Sequence, residues 1–221
     1  MNKINWTIVA IAAVALLFVA SLFGGRGYGG WGMMGPGMMT GQGMMGGMMT
    51  MASREVMEQT NCRWPAVHRD AEKMATLSIS MHDEAGIENL GIPFCMTVEA
   101  EALGGEVEDG DEVTEPRIIH YPLKSVEEWR NLKGLNSYED GRLPTILACT
   151  SLLSQGHPDI PVIGNLVGPV SLATSLIDAT LLFRALRREP KEVHGMLGFL
   201  ADNSIRYGEA LIKSGADIIV I

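Results

Sequence analysis

Cysteine is scarce in this chain: three in 221 residues, at Cys62, Cys95 and Cys149, widely spaced and odd in number. No Cys-x-x-Cys occurs, and none of the five histidines (His68, His82, His120, His157, His194) is followed by a cysteine at the spacing of a metal pair. A disulfide framework and a zinc knuckle are therefore excluded from the pattern. Three unpaired thiols suit a reducing compartment. Basic residues are also few, 17 against 26 acidic, for a formal charge of −9. With no basic stripe to displace counterions from a phosphate backbone, nucleic acid is not an expected partner.

Charge is missing altogether from Trp6 to Phe23, "WTIVAIAAVALLFVASLF", eighteen uncharged and mostly apolar residues, just long enough to cross a hydrocarbon core. Residues 1–25 read as a retained membrane anchor. A cleaved signal or a misassigned start, which would leave the protein cytoplasmic, are the alternatives. Lys3 and Arg26 stand on opposite sides, so the orientation stays open. Residues 26–51 form a Gly/Met-rich linker whose glycine density forbids regular structure. Its Met-Met pairs read as a low-complexity spacer, with capture of a soft ion such as Cu(I) as the sharper alternative.

From residue 52 onward, helices and strands alternate. "HRDAEKMATLSISMHDEAG" predicts a helix closed by Gly86, and "IENLGIPF" a strand over Ile87–Phe94. "RIIHYP" is a second strand, and Ser125 with Glu128 forms a capping box that opens a helix. "RLPTILACTSLLSQG" carries Pro144 in the first turn of another helix. The strand at 162–167, two helical stretches and the strand at 217–221 make a crossover, hence parallel strands. The acidic run "EVEDGDEVTE" reads as a solvated loop. Repeated β/α units point to a doubly wound sheet or a TIM barrel.

The blocks "HRDAEKMA", "PFCMTVEAEALG", "GRLPTILACTSLLS", "PVIGNLVGPVSLAT" and "YGEALIKSGADIIVI", in that order, resemble the methylcobamide:coenzyme M methyltransferases of the uroporphyrinogen decarboxylase superfamily. The likeness covers residues 54–221. It implies an α/β fold, a partial (β/α)8 TIM barrel comprising about the first half. It also implies methyl transfer from a corrinoid to a thiol activated by zinc, the zinc held by a His-x-Cys pair and a later Cys. Those ligands are missing here, so the resemblance implies a truncated domain, 52–221, that binds no metal or cofactor itself and is inactive alone. Zinc would come with the missing barrel half, and the corrinoid on a partner protein.

Porphyrinogen decarboxylation is the rival activity. That branch uses an N-terminal arginine motif, which this chain lacks, an Asp where Cys95 stands, and a Tyr where Ser175 stands. A non-catalytic, membrane-tethered scaffold is the third reading.

In a barrel, residues after the strands face the catalytic mouth. This selects Cys95, Met96, Thr97 and Glu99 after the first strand. Asn165, Gly168, Ser171 and Ser175 follow the second. Cys95 is a reactive thiol or a small buried hydrophobe. Glu99 is expected to line the pocket while Glu101 is solvated, and Ser171 to cap the next helix. An unfinished parallel sheet leaves an open edge, so self-association is expected.

Overall fold

A computed structural model describes residues 52–221. The anchor and linker expected over residues 1–51 lie outside the described residues.

Helix α1 (Arg54–Thr60) leads through a 3-10 turn (Ala66–Arg69) into α2 (Ala71–Ala85). Asp70 starts α2 by accepting the N–H groups of Glu72 and Lys73, each at 3.1 Å. Gly86, with φ of 70°, ends it in the left-handed conformation that glycine adopts without strain, as the sequence anticipates. Strand β1 (Leu90–Ile92) follows and is shorter than the expected Ile87–Phe94. The short helix α3 (Val98–Ala102) comes next, then β2 (Glu106–Glu108) and β3 (Arg117–His120).

β2 and β3 pair with each other, antiparallel, as a separate ribbon. The start of the acidic run is thus a strand rather than loop. "RIIHYP" supplies a strand, but one outside the main sheet. Val126–Asn131 forms a 3-10 turn in which Ser125 makes no capping bond; Glu128 instead accepts the Lys124 N–H at 2.7 Å.

Helix α4 (Leu143–Gly156) carries Pro144 in its first turn, where a missing N–H costs nothing. Strand β4 (Val162–Asn165) is followed by α5 (Pro169–Leu176), α6 (Ala179–Arg188), the long α7 (Pro190–Lys213) and β5 (Ile218–Val220). The main sheet is three-stranded and parallel, in the order β1-β4-β5. Gly164 sits in the central strand because α7 presses on it. A Cβ there would lie 3.0 Å from Leu211 Cδ1 and 3.1 Å from Ile219 Cδ1.

Helices α2, α4 and α7 bury Met74, Leu77, Ile146, Leu153, Leu200 and Leu211 against Leu90, Ile92 and Val162. Burying apolar surface of this kind is the main favourable term in folding. Ile212, near the end of α7, is exposed. No single helix among the described residues is long and apolar enough to cross a membrane.

Candidate functional site at the carboxyl end of the sheet

Parallel strands point their carboxyl ends the same way, and the helix preceding β4 runs back against them. The start of α4 therefore meets the loop after β1. Arg142, the residue before α4, lies there with its side chain only 3% exposed. Its Nη2 donates to Thr97 Oγ1 at 2.6 Å, its Nη1 reaches Cys95 Sγ at 3.5 Å, and its Nε pairs with Glu101. Arg69 also reaches Glu101, at 3.1 Å, and forks onto Asp109 at 2.6 and 2.7 Å. The ladder Asp109, Arg69, Glu101, Arg142 thus runs from the rim to the buried thiol of Cys95. Glu101 is an ion-pair hub, not the solvated residue that spacing suggests.

The two strand ends are also tied to each other. Val167 N–H donates to Glu99 Oε1 at 2.7 Å, and Asn165 Nδ2 donates to the Ile92 carbonyl at 3.1 Å. The first bond runs from the loop after β4 to the helix after β1; the second runs between the last residues of the strands themselves. Together they extend the β1–β4 connection past its last backbone pair, Ile92 with Gly164.

Glu99 is fully buried, and loss of hydration lifts its carboxyl to about 7, with the Val167 N–H and Arg142 pulling the other way. His68 is buried too. Desolvation first, then the Arg142 charge, holds its imidazole down at about 4, so it is neutral near pH 7. Neither ring nitrogen has a hydrogen-bond partner among the described residues.

Of the residues chosen from sequence, Cys95, Thr97, Glu99 and Asn165 converge here, all buried. Met96 points outward and is 40% exposed. Ser171 caps nothing: Gly168 holds the cap position, and Ser171 is an exposed residue of the first turn whose carbonyl accepts the Thr174 and Ser175 hydroxyls. Ser175 is spent on that bond. Arg142, His68 and Tyr207 are functional candidates that the strand-end rule misses, because they arrive from neighbouring helices and a turn; Glu101, on the same helix as Glu99, is within the rule's reach but is read by it as solvated. An arginine set immediately before the apolar "LPTILACTSLL" was the available signal for Arg142.

Tyr207, from α7, is fully buried, and its hydroxyl has no partner among the described residues. Burial and the neighbouring Glu99 keep the phenol protonated well above its usual range. Tyr207→Phe removes an unpaired buried hydroxyl, so it should raise stability by about 1 kcal/mol in urea melts. A loss of that size would mean that the hydroxyl is bonded in solution.

The family model described as Uroporphyrinogen decarboxylase (URO-D) matches residues 42–221. The chain belongs to the uroporphyrinogen decarboxylase family. Within it, the chain is 37% identical over 171 residues to the methylcobamide:CoM methyltransferase MtbA of Methanosarcina acetivorans, covering 77% of this chain and 50% of the relative. Identity to MtbA of Methanosarcina mazei is 38% over 168 residues, 76% of this chain and 49% of the relative. The likeness to uroporphyrinogen decarboxylase of Staphylococcus aureus is weaker, 24% over 110 residues, 47% of this chain and 31% of the relative.

Among solved structures, a methyltransferase from Methanosarcina mazei matches with a TM-score of 0.70 and 27% identity. The match covers 77% of this chain and 51% of that one. The expected resemblance to the methyltransferase branch is thus found, and the α/β fold matches part of a methyltransferase TIM barrel. The chain spans about half the length of the curated relatives it matches.

Proposed function

We propose that this chain forms one side of the mouth of a corrinoid-dependent methyltransferase, moving a methyl group from a methylated corrinoid protein to a thiol such as coenzyme M. The supporting observation is the contrast in relatedness: 37–38% identity over three quarters of the chain with methylcobamide:CoM methyltransferases, against 24% over less than half with decarboxylases. In this reading Glu99 and Asn165 fix the spacing of the two strand ends. Arg142 orders the loop that carries Cys95 and Thr97. The charge-free stretch 6–23 tethers the mouth to a membrane.

A thiol must lose its proton to attack a methyl group, and zinc coordination lowers its pKa to that end. Among the described residues, no three His, Cys, Asp or Glu side chains come together to hold a metal ion. The described residues therefore do not fit the zinc of the methyltransferase branch. His68, neutral with a pKa near 4, is too weak a base to replace the ion.

The chain alone is therefore expected to leave methylcobalamin and coenzyme M unreacted. Adding zinc and a polypeptide covering the part of a Methanosarcina relative outside the matched region should start the reaction, read as loss of methylcobalamin absorbance. Turnover by the chain alone, or carbon dioxide released from uroporphyrinogen, would refute the proposal.

A further inference from the structure

Helix α6 has a buried seat and an outer face that mixes arginine with exposed apolar side chains. Asp178 accepts the N–H groups of Thr180 and Leu181 at 2.8 and 3.2 Å, which fixes the first turn. Leu182 and Ala185 are buried and seat the helix against α7 and the Val126–Asn131 turn. Leu181, Phe183 and Leu186 are 39%, 49% and 46% exposed. Arg184, Arg187 and Arg188 are exposed among them. At about 100° per residue the three arginines share an arc of roughly 100° on the side away from the buried pair. Phe183 borders one edge of that arc and Leu181 the other.

The positive charge of this face is local. The chain as a whole carries −9, yet Arg184–Lys191 contains four of its 17 basic residues and a single acidic one, Glu189. The helix dipole accounts for Arg187 and Arg188 in the last turn. It does not account for Arg184, a turn earlier, where a like charge four residues from Arg188 destabilises an isolated helix. None of the three guanidinium groups forms an ion pair among the described residues. Glu192, in the first turn of α7, is already held by Arg130 at 2.7 Å.

We infer that α6 lies on an anionic lipid surface, its arginines on the lipid phosphates and its apolar side chains at the boundary between headgroups and acyl chains. Charge complementarity selects the occupant first. An anionic leaflet supplies the counter-charges that the arginines lack, while the acidic remainder of the chain is repelled from it, so one face is chosen. The interleaving of Leu and Phe with Arg selects it next. Guanidinium heads stay at the phosphate level while their stems and the apolar side chains reach below it. A nucleic-acid backbone would leave those apolar side chains in water.

The contact is with the surface and does not cross it. Helices α5 and α6 have 8 and 10 residues and are bent by 114°, against about 20 residues for a span. α5 also buries Leu172, Ala173 and Leu176 in the protein. Val167, whose N–H meets Glu99, directly precedes Gly168 and α5. Docking of α6 therefore sets how the mouth faces the membrane. The inference stands on α6 itself and requires neither methyl transfer nor the stretch 6–23.

The test places the full chain with lipid nanodiscs of phosphatidylcholine, alone or with about 30% phosphatidylserine, an anionic lipid. A fluorophore on Thr180→Cys, in the outer face, is quenched by lipids spin-labelled high in the acyl chain; the native cysteines are buried and do not compete for the label. Strong quenching is expected in anionic discs and little in neutral ones. Each arginine at an anionic leaflet is worth about fivefold in binding. Arg184→Gln/Arg187→Gln/Arg188→Gln should thus lower the ratio of docked to free helix by about 100-fold and bring quenching to the neutral-lipid level. Circular dichroism and urea melts should not change, because these side chains already face solvent.

Retention on neutral discs reports the stretch 6–23 separately. A chain that neutral discs do not retain, but whose label anionic discs quench, supports the inference and refutes the tether. No quenching in anionic discs, equal quenching in both lipids, or quenching indifferent to the triple substitution would overturn the inference. Soluble polyglutamate offers the same charge without a surface. If it releases the label from anionic discs at matched charge, the face is a site for an acidic polypeptide and the lipid assignment falls.

Discussion

Glu99→Gln is expected to stabilise the protein at pH 8 by on the order of 3 kcal/mol and to leave its stability unchanged at pH 4. Burial raises the Glu99 carboxyl from 4.5 to about 7. A folded state that holds a proton more tightly than the unfolded chain is favoured by acid. The Glu99 contribution is therefore fully present below pH 4.5 and is lost as pH rises through 7. Glutamine keeps an oxygen for the Val167 N–H and never ionises, so it escapes the alkaline penalty.

His68 acts in the opposite sense. Its imidazole is depressed from 6.5 to about 4, so its contribution is present above pH 6.5 and fades as pH falls through 4. The two slopes oppose each other between pH 4.5 and 6.5. The unmodified protein should be nearly flat in stability across that interval, and Glu99→Gln should uncover the rise due to His68. Urea midpoints measured from pH 4 to pH 8 check this. A variant curve that runs parallel to the parent curve at every pH would show that Glu99 titrates as an ordinary carboxylate.

The features legible in the sequence were those set by local chemistry. Gly86 closes α2, Pro144 opens α4, and the apolar runs at 162–167 and 217–221 become β4 and β5, because short-range sterics and burial act on neighbouring residues. What was not legible depended on distance in space. The "RIIHYP" segment was legible as a strand but its partner was not: it pairs with Glu106–Glu108 in its own ribbon, and nothing in its composition distinguishes that partner from the main sheet. Ser171 looked like a cap, but Pro169, with φ already helical, moves the start of α5 to Gly168.

At the site, counting residues after each strand reached Cys95, Thr97, Glu99 and Asn165. It could not reach Arg142, which comes from the start of a helix 47 residues away from Cys95. Glu101 shows the same gap. From Glu99 and Glu101 alone, opposite faces of one helix imply one buried and one solvated carboxylate. Only the arrival of Arg142 and Arg69 turns the second into the centre of an ion network.

That network supports a second large effect. Glu101→Gln should cost about 3–5 kcal/mol at pH 6, because it leaves the Arg142 guanidinium buried without its counter-charge. Asp109→Asn, at the rim where both partners are about a third exposed or more, should cost less than about 1 kcal/mol. If the penalty arises from an orphaned charge, removing that charge should relieve it, and Glu101→Leu combined with Arg142→Met should be more stable than Glu101→Gln alone. The two sites are also linked, since Arg142 is one of the groups that draws Glu99 toward ionisation. Near pH 6 Glu99 is mostly protonated and cannot replace Glu101. Above pH 7 it ionises and becomes a second counter-charge for the same guanidinium. The destabilisation caused by Glu101→Gln should accordingly shrink as pH rises from 6 to 8, and shrink no further in a Glu99→Gln background, where no carboxyl remains to ionise. Urea titrations of the single and double variants at both pH values measure this coupling. Equal penalties at pH 6 and pH 8 would show that Glu99 and Glu101 do not share Arg142.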